Sequence, residues 1–167
     1  GDRAAPVAGR TPSPCAGAAG RCTPMVEMEL VGVRVELPTN APIVLLRERG
    51  GDRRLLPIFI GAPEATAIAF ALEEVSTPRP MTHDLMKDIL DDLGARLEQV
   101  QVTALKDATF YAELHLSIDG RTHQVSSRPS DAIALAARTG SPIFAAEAVL
   151  DEAGYTLTEE DEEQQEV

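Results

Sequence analysis

The sequence predicts an α+β fold in which a mixed, largely antiparallel sheet is accompanied by about three helices, in the order βββ-αα-βββ-α-β. Several segments place apolar residues at every second position, which is typical of strands with one buried face. Other segments repeat apolar residues at helical spacing, between residues that favour helix starts and ends. Strands and helices do not alternate one for one, which favours the α+β class over a regularly wound α/β fold.

The first third of the chain predicts three strands separated by turns. They fall at residues 26–37, 42–46 and 55–60. The alternation changes phase at Leu30-Val31, which indicates a β-bulge in the first strand. The third strand contains Pro57, which cannot donate a ladder hydrogen bond, so we expect this residue at a sheet edge or a bulge.

Two helices are predicted next, each with an apolar stripe suited to packing on a core. The first runs from about residue 63 to residue 75, with an apolar face formed by Ala65, Ile68, Ala69 and Leu72. The second has Thr82 as its N-cap residue and ends at Gly94. Its apolar residues are Leu85, Met86, Ile89, Leu90 and Leu93.

The second half of the chain predicts four strands and a third helix. The strands fall at about residues 97–105, 109–118, 121–127 and 142–145, and the helix at about 130–138. Residues 109–118 alternate strictly between apolar and polar side chains, which predicts a half-buried antiparallel strand. His115 lies on the polar side of this strand, so we expect it in solvent or at an interface.

Charge is distributed unevenly along the chain, whose formal net charge is −12. Residues 151–167 contain eight acidic residues and no basic ones, which is typical of a solvated, disordered end. A generic nucleic-acid binder carries a basic face, which this composition argues against. An enzyme whose arginines converge on one cleft is compatible with it. No apolar run reaches the ~20 residues of a membrane span.

These observations predict one folded domain between two low-order ends. The boundaries are a disordered extension at residues 1–24, a domain at 25–150 and an acidic tail at 151–167. Cys15 and Cys22 both lie in the first region, which lacks the apolar segment of a secretory signal. Two cysteines without a nearby histidine form no metal motif. We therefore expect a cytoplasmic protein.

Two short runs carry the chemistry that the sequence suggests. They are Arg79-Pro80-Met81-Thr82-His83-Asp84-Leu85 and Arg128-Pro129-Ser130-Asp131. Each places a guanidinium, a proline, a hydroxyl and a carboxylate at a predicted helix start. Backbone N–H groups there suit an anion such as phosphate, and arginine adds a planar fork for its oxygens. Two such starts brought together would form a site for a phosphodiester. Helix capping and salt bridging account for the same residue types without a ligand.

The carboxylates at these helix starts are candidate metal ligands. Asp84 and Asp131 each lie close after a hydroxyl residue, and Glu64 lies near the start of the first helix. Phosphodiester hydrolysis needs an activated water and stabilisation of charge on the phosphoryl oxygens. Mg²⁺ or Mn²⁺ would supply both and prefers carboxylate oxygens. The alternative is that the three acids only complement the helix dipoles.

The two runs also supply candidates for catalysis and substrate binding. Imidazole exchanges protons near neutral pH, so His83 is the candidate for proton transfer or a phosphate contact. Together with it, the predicted catalytic residues are Asp84 and Asp131. The predicted substrate-binding residues are Arg79, Arg128, Thr82 and Ser130. The two hydroxyl residues are better explained as helix caps than as nucleophiles, since neither has a base beside it in the motif.

Three segments in this order resemble the bifunctional nuclease family. They are residues 56–65, 79–85 and 128–136. The opening strand from Met25, the strand at 109–112 and the closing strand at 142–144 also resemble the family, so the resemblance covers about residues 25–150. The family is credited with DNase and RNase activity, so the resemblance implies DNA and RNA as substrates. It also implies a homo-oligomer, with a dimer as the first expectation. One position departs from the pattern: Ser126 stands where such sequences often carry Asp, so a carboxylate for a metal is missing there.

Three functions remain open from the sequence. The first is a metal-assisted nuclease acting on flexible or single-stranded DNA and RNA. The second is a non-catalytic oligomeric binding or regulatory module, which the acidic charge, the aromatic content of 4% and Ser126 favour. The third is a phosphoester hydrolase for a small nucleotide, which would ignore polymeric substrates.

Overall fold

A computed structural model describes residues 24–36 and 39–157, which form one seven-stranded sheet and four helices. The strands are β1 (Met25–Glu36), β2 (Ala41–Glu48), β3 (Leu55–Phe59), β4 (Arg96–Lys106), β5 (Thr109–Ile118), β6 (Arg121–Ser127) and β7 (Ile143–Ala146). The helices are α1 (Ala62–Leu72), α2 (Thr82–Asp92), α3 (Pro129–Thr139) and α4 (Glu147–Ala153). The element order confirms the prediction and adds α4 at its end.

The sheet is mixed and largely antiparallel, so the predicted α+β class is confirmed. Its strand order is β3-β2-β1-β7-β4-β5-β6. Strands β1, β2 and β3 form one antiparallel meander, and β4, β5 and β6 form another. Strand β7 joins the two meanders, because it pairs antiparallel with β1 and parallel with β4.

The bulge and the edge proline both lie where the sequence indicates them. In the β1–β2 ladder Leu30 pairs with Leu46 and Gly32 with Leu45, so Val31 is the extra residue of a bulge. Pro57 lies in β3, which is an edge strand of the sheet. Proline is tolerated there because an edge strand has one row of N–H groups without a ladder partner.

Helix α3 is the most deeply buried helix of the described chain. Its residues 132–136 (Ala-Ile-Ala-Leu-Ala) are each at most 1% exposed. The small alanine side chains let α3 approach α1, α2, β4 and β5 closely, and it contacts all four. The helix ends at Gly140, whose φ of 72° provides a left-handed cap. This central position brings the start of α3 beside the starts of α1 and α2.

Helix α2 differs from the prediction at its start and on its apolar side. The N-cap residue is Met81 instead of Thr82, because the Asp84 carboxylate accepts a hydrogen bond from the Met81 N–H at 3.1 Å. Met86 and Leu90 pack against the core. The other three predicted core residues of this helix are exposed by 48% or more: Leu85, Ile89 and Leu93. Helix α2 contacts only α3 and β4 to any extent, so it buries one side of its apolar stripe.

Two further side chains also differ from expectation. Leu72, the last residue of α1, is 45% exposed, although it lies on the same side of the helix as the buried Ala65 and Ile68. His115, which the sequence predicts in solvent or at an interface, is buried at 9% exposure. Its Nε2 atom lies 3.4 Å from Glu113 Oε2.

The folded region extends past the predicted boundary at residue 150. Helix α4 runs to Ala153, and Tyr155 exchanges both backbone hydrogen bonds with Leu55 at 2.7 and 2.9 Å. The predicted extension up to residue 23, both cysteines and residues 158–167 lie outside the described residues. Within the described ranges, no helix has the length and apolar character needed to cross a membrane.

Candidate active site

The first turns of three helices meet at one cluster of charged side chains. Arg128, the residue before α3, donates from Nη2 to Glu64 Oε1 of α1 at 3.0 Å. Its Nε donates to Asp131 Oδ2, in the first turn of α3, at 2.8 Å. The Asp131 Oδ1 atom lies 2.9 Å from Nε2 of His83, the second residue of α2. Glu64, His83, Arg128 and Asp131 therefore form a continuous network, which we call the charged cluster.

Proline and glycine shape the backbone around this cluster. Pro129 is the first residue of α3, where its fixed φ suits the helix and its missing N–H costs nothing. Gly61 precedes α1, and a Cβ atom there would collide with Glu64 Oε2. The absence of that side chain lets the Glu64 carboxylate fold back over the helix start toward Arg128.

Hydrogen bonds decide the ionisation of Asp131. Burial would raise the pKa of this carboxyl, but hydrogen bonds from Arg128 and His83 outweigh it and hold the pKa below its ordinary value. An ionised carboxylate only accepts hydrogen bonds, so Nε2 of His83 must carry the proton that it shares with Asp131. In the neutral ring the lone pair is then on Nδ1. The side chain of His83 is 8% exposed, and its hydrogen bond to Asp131 fixes the orientation of the ring.

Asp84 lies apart from the charged cluster, although it is the third residue of its helix, as Asp131 is of α3. Its Oδ1 accepts a hydrogen bond from Arg138 Nε of α3 at 2.6 Å, and its Oδ2 accepts from the Met81 N–H. The hydrogen bond from Arg138, followed by that from Met81, lowers the pKa of Asp84. The Arg138 side chain is only 7% exposed. This pair therefore ties α2 to α3, and it borders a depression of about 510 Å³.

The predicted metal ligands are engaged by arginines. Among the described side chains, at residues 24–35 and 39–157, no three His, Cys, Asp or Glu groups converge closely enough to hold a metal ion. Glu64 and Asp131 share Arg128, whereas Asp84 pairs with Arg138. Guanidinium groups thus neutralise the oxygens that a cation would need, and the residues in this arrangement do not fit Mg²⁺ or Mn²⁺. A requirement for either ion stays a prediction.

The remaining predicted site residues lie near the helix starts with different accessibility. Arg79 is exposed, and within the described chain its side chain makes no ion pair. Thr82 is exposed on the first turn of α2, whereas Ser130 is buried at 6% exposure. Ser126 is exposed on β6, opposite Glu113. Their predicted roles in substrate binding stay predictions.

A groove of about 380 Å³ opens beside the charged cluster. The end of β3, the turn between β4 and β5, and the start of α3 line it. Arg128 and Gly61 belong to its lining, and so do Phe59 and Phe110. Both phenylalanines and Arg138 are absent from the site residues that the sequence predicts. Arg138 has no local signal beyond a base near a helix end, and the phenylalanines are 51 positions apart in the chain.

The lowered pKa values of Asp84 and Asp131 predict how stability depends on pH. Both carboxyls bind protons more weakly in the folded state than in the unfolded state, where the ordinary value is 3.8. Their contribution to the free energy of unfolding is present above pH 3.8 and is lost as pH falls through the lowered pKa values of the folded state. We expect the free energy of unfolding, measured in urea, to decrease between about pH 5 and pH 3.

The Asp84→Asn variant tests this dependence directly. It should show a smaller decrease over the same pH range, because one of the carboxyls with a lowered pKa is gone. Asp91→Asn is the matched control, since Asp91 is an exposed residue of α2 that pairs only with Lys87. An equal decrease in Asp84→Asn and the wild type would contradict the prediction.

Comparison with known proteins decides the family. Residues 44–158 match the sequence model of the bifunctional nuclease domain. This chain belongs to the bifunctional nuclease domain family. The matched range begins inside β2 and contains all four helices and every member of the charged cluster. The family that the sequence motifs suggested is thereby confirmed.

Relatives of this bifunctional nuclease domain occur in bacteria and plants. An uncharacterized protein of Mycobacterium tuberculosis is 49% identical over 140 residues, which cover 84% of this chain and 83% of that protein. Bifunctional nuclease 2 of Arabidopsis thaliana is 34% identical over 112 residues, or 64% of this chain and 34% of the relative. Bifunctional nuclease 1 of Oryza sativa subsp. japonica is 32% identical over 114 residues. The chain spans about a third of the length of the two plant relatives.

Proposed function

We propose that this chain is a nuclease that hydrolyses phosphodiester bonds of DNA and RNA at the charged cluster. One observation carries the proposal: a buried histidine, fixed by an ionised carboxylate, lies beside an arginine whose side chain is 65% exposed. Proton transfer and charge stabilisation on phosphoryl oxygens are what phosphodiester hydrolysis requires. The names of the plant relatives support the same activity.

In the proposed reaction His83 activates water. Its Nδ1 accepts a proton from the water while the water oxygen attacks phosphorus, and the imidazolium that forms is stabilised by Asp131. The ester P–O bond then breaks, and the leaving oxygen takes up a proton from the imidazolium or from solvent. Asp131 thus acts as the positioning residue for His83, because it sets the tautomer that leaves Nδ1 free.

The arginines supply the positive charge in this proposal. The guanidinium of Arg128 can turn one N–H pair toward a phosphoryl oxygen while it keeps a bond to Asp131, since it carries five donors. Glu64 restrains Arg128 and offsets its positive charge when no substrate is bound. The exposed Arg79, in the loop before α2, is the candidate contact for a neighbouring phosphate. The N-termini of α1 and α3 add a field that favours an anion.

The experiment that tests the proposal is cleavage of labelled single-stranded DNA and RNA by the full chain. It is run with Mg²⁺, with Mn²⁺ and with EDTA, and the Arg128→Gln variant is compared with Arg121→Gln. Arg121 is an exposed residue of β6 and serves as the matched control. We expect cleavage by the wild type and by Arg121→Gln, and a loss of about 10²-fold in Arg128→Gln.

Other results would lead to different conclusions. Cleavage that EDTA abolishes would establish the predicted metal requirement and would mean that Arg128 moves away from the two carboxylates. Equal cleavage by both variants would move the reaction away from the charged cluster. No cleavage of either polymer under any condition would leave the binding or regulatory module as the better function.

The exposed side of α2 supports a homo-oligomer, with a dimer as the first proposal. Leu85, Ile89 and Leu93 recur every four residues and therefore lie along one line of the helix. An exposed line of three large apolar side chains is typical of a surface that a second chain covers.

A further inference from the structure

The groove beside the charged cluster is bordered by an aromatic side chain that the fold leaves in solvent. Phe59 is 64% exposed, more than any other aromatic residue of this chain. It is the last residue of the edge strand β3, and its neighbour Ile58 points into the core instead. Because side chains alternate along a strand, Phe59 stands on the opposite side from Ile58, away from the core.

The rest of the groove complements this ring. Phe110, at the start of β5, lines the groove from the side of the β4–β5 hairpin and packs partly against the core. The hairpin turn is formed by Asp107 and Ala108, with φ values of 51° and 60°, which is the backbone of a tight two-residue turn. The small side chain of Ala108 leaves the mouth of the groove open. A volume of about 380 Å³ is within the range of about 300–1,000 Å³ for small-ligand sites.

The groove leads directly to the arginine of the charged cluster. Arg128 lines the groove and also contacts Glu64 and Asp131. A ligand in the groove would therefore place an apolar, planar part against the phenylalanines and an anionic part at the guanidinium. A nucleotide within a nucleic-acid strand has both parts, joined by its sugar.

We propose that this groove is the base-binding subsite of the nuclease: one unpaired nucleobase stacks on Phe59 while the adjoining phosphate lies at Arg128. The inference rests on the proposed function, and it narrows the substrate to single-stranded DNA or RNA, or to unpaired segments of either. A base inside a duplex is stacked on both faces by its neighbours and cannot offer a face to Phe59.

Electrostatics explain why such a subsite is needed. The formal net charge is −12, and two carboxylates already offset the charge of Arg128. Attraction between the protein and the phosphate backbone is therefore weak. Stacking does not depend on charge, so a base stacked on one exposed aromatic ring adds affinity that the acidic surface does not weaken.

The test measures binding, separately from cleavage. Fluorescence anisotropy follows labelled single-stranded oligonucleotides as they bind to the full chain in EDTA, with the His83→Ala variant used in parallel to prevent turnover. Phe59→Leu keeps an apolar side chain but removes the aromatic face, and Phe59→Trp keeps that face. Tyr155→Leu is the matched control, because Tyr155 is 42% exposed and lies beside Leu55, at the other end of β3. An oligonucleotide of the same length with abasic sites lacks the stacking partner.

We expect Phe59→Leu to weaken binding by about five- to 150-fold, the range for loss of one stacked base. Phe59→Trp and Tyr155→Leu should bind the intact oligonucleotide like the wild type. The affinity of the wild type for the abasic oligonucleotide should equal the affinity of Phe59→Leu for the intact one. Equal affinities of Phe59→Leu and the wild type, or no preference for intact over abasic strands, would overturn the subsite. Base-dependent binding without any cleavage would leave the subsite in place and reject the proposed function.

Discussion

Replacing His83 with glutamine should lower kcat/KM for cleavage of single-stranded DNA and RNA by about 10²–10⁴-fold, the range for loss of a general acid–base group. Glutamine can still donate a hydrogen bond to Asp131, so the carboxylate keeps a partner and the fold should be retained. It cannot accept a proton from water and pass it on. The loss should therefore fall on kcat, while KM changes little because His83 does not bind the substrate in this mechanism.

Two further variants make this result specific. His123→Gln alters an exposed histidine of β6 and should leave kcat/KM unchanged. Asp131→Asn keeps the shape of the side chain but removes its charge, so it should lower kcat, because the imidazolium that forms in the reaction loses its stabilising partner. Full activity of His83→Gln, in protein with an unchanged unfolding transition, would exclude His83 as the proton-transfer group.

The sequence predicts most of the sheet because each strand has its own local pattern. The change in alternation at two adjacent residues, Leu30 and Val31, is enough to predict the bulge of β1. Pro57 likewise predicts that β3 is an edge strand. Helix α4 has no such signal. It is seven residues long and directly follows β7, and it is held by Arg54, which lies 93 positions before its partner Glu147. Contacts over that distance leave no trace in a local pattern.

The candidate site could be predicted only in part for a similar reason. Asp84 and Asp131 are each the third residue of their helix, and the sequence gives both the same predicted roles. The structure separates them because α2 crosses α3 so that His83 meets the first turn of α3, while Asp84 meets Arg138. Seven residues of α-helix separate Asp131 from Arg138, which is about 10 Å. Helix packing, which no motif encodes, decides which carboxylate belongs to the charged cluster.

The second large effect is on stability and concerns Arg54, between β2 and β3. Its guanidinium hydrogen-bonds to Glu48, to Glu147 at 2.7 Å and to Asp151 at 3.0 Å. The hydrogen bond to Glu147, ahead of that to Glu48, raises the pKa of Arg54. Glu48 is only 4% exposed, whereas the other two acids are near the surface. Arg54 is thus the cation that compensates a buried carboxylate and also fastens α4 to the sheet.

Arg54→Met should lower the free energy of unfolding by about 3–5 kcal/mol, because it leaves the Glu48 carboxylate buried without a compensating charge. The matched control is Arg47→Met, since the Arg47–Glu29 pair is more exposed, at 40% and 27%, and should cost less than about 1 kcal/mol. The double variant Glu48→Gln with Arg54→Met removes both charges and should recover part of the loss. Urea unfolding of the four proteins measures these differences. If Arg54→Met and Arg47→Met cost the same, Arg54 acts as an ordinary surface arginine, and the anchoring of α4 must then come from Val149 and Leu150, its buried apolar residues.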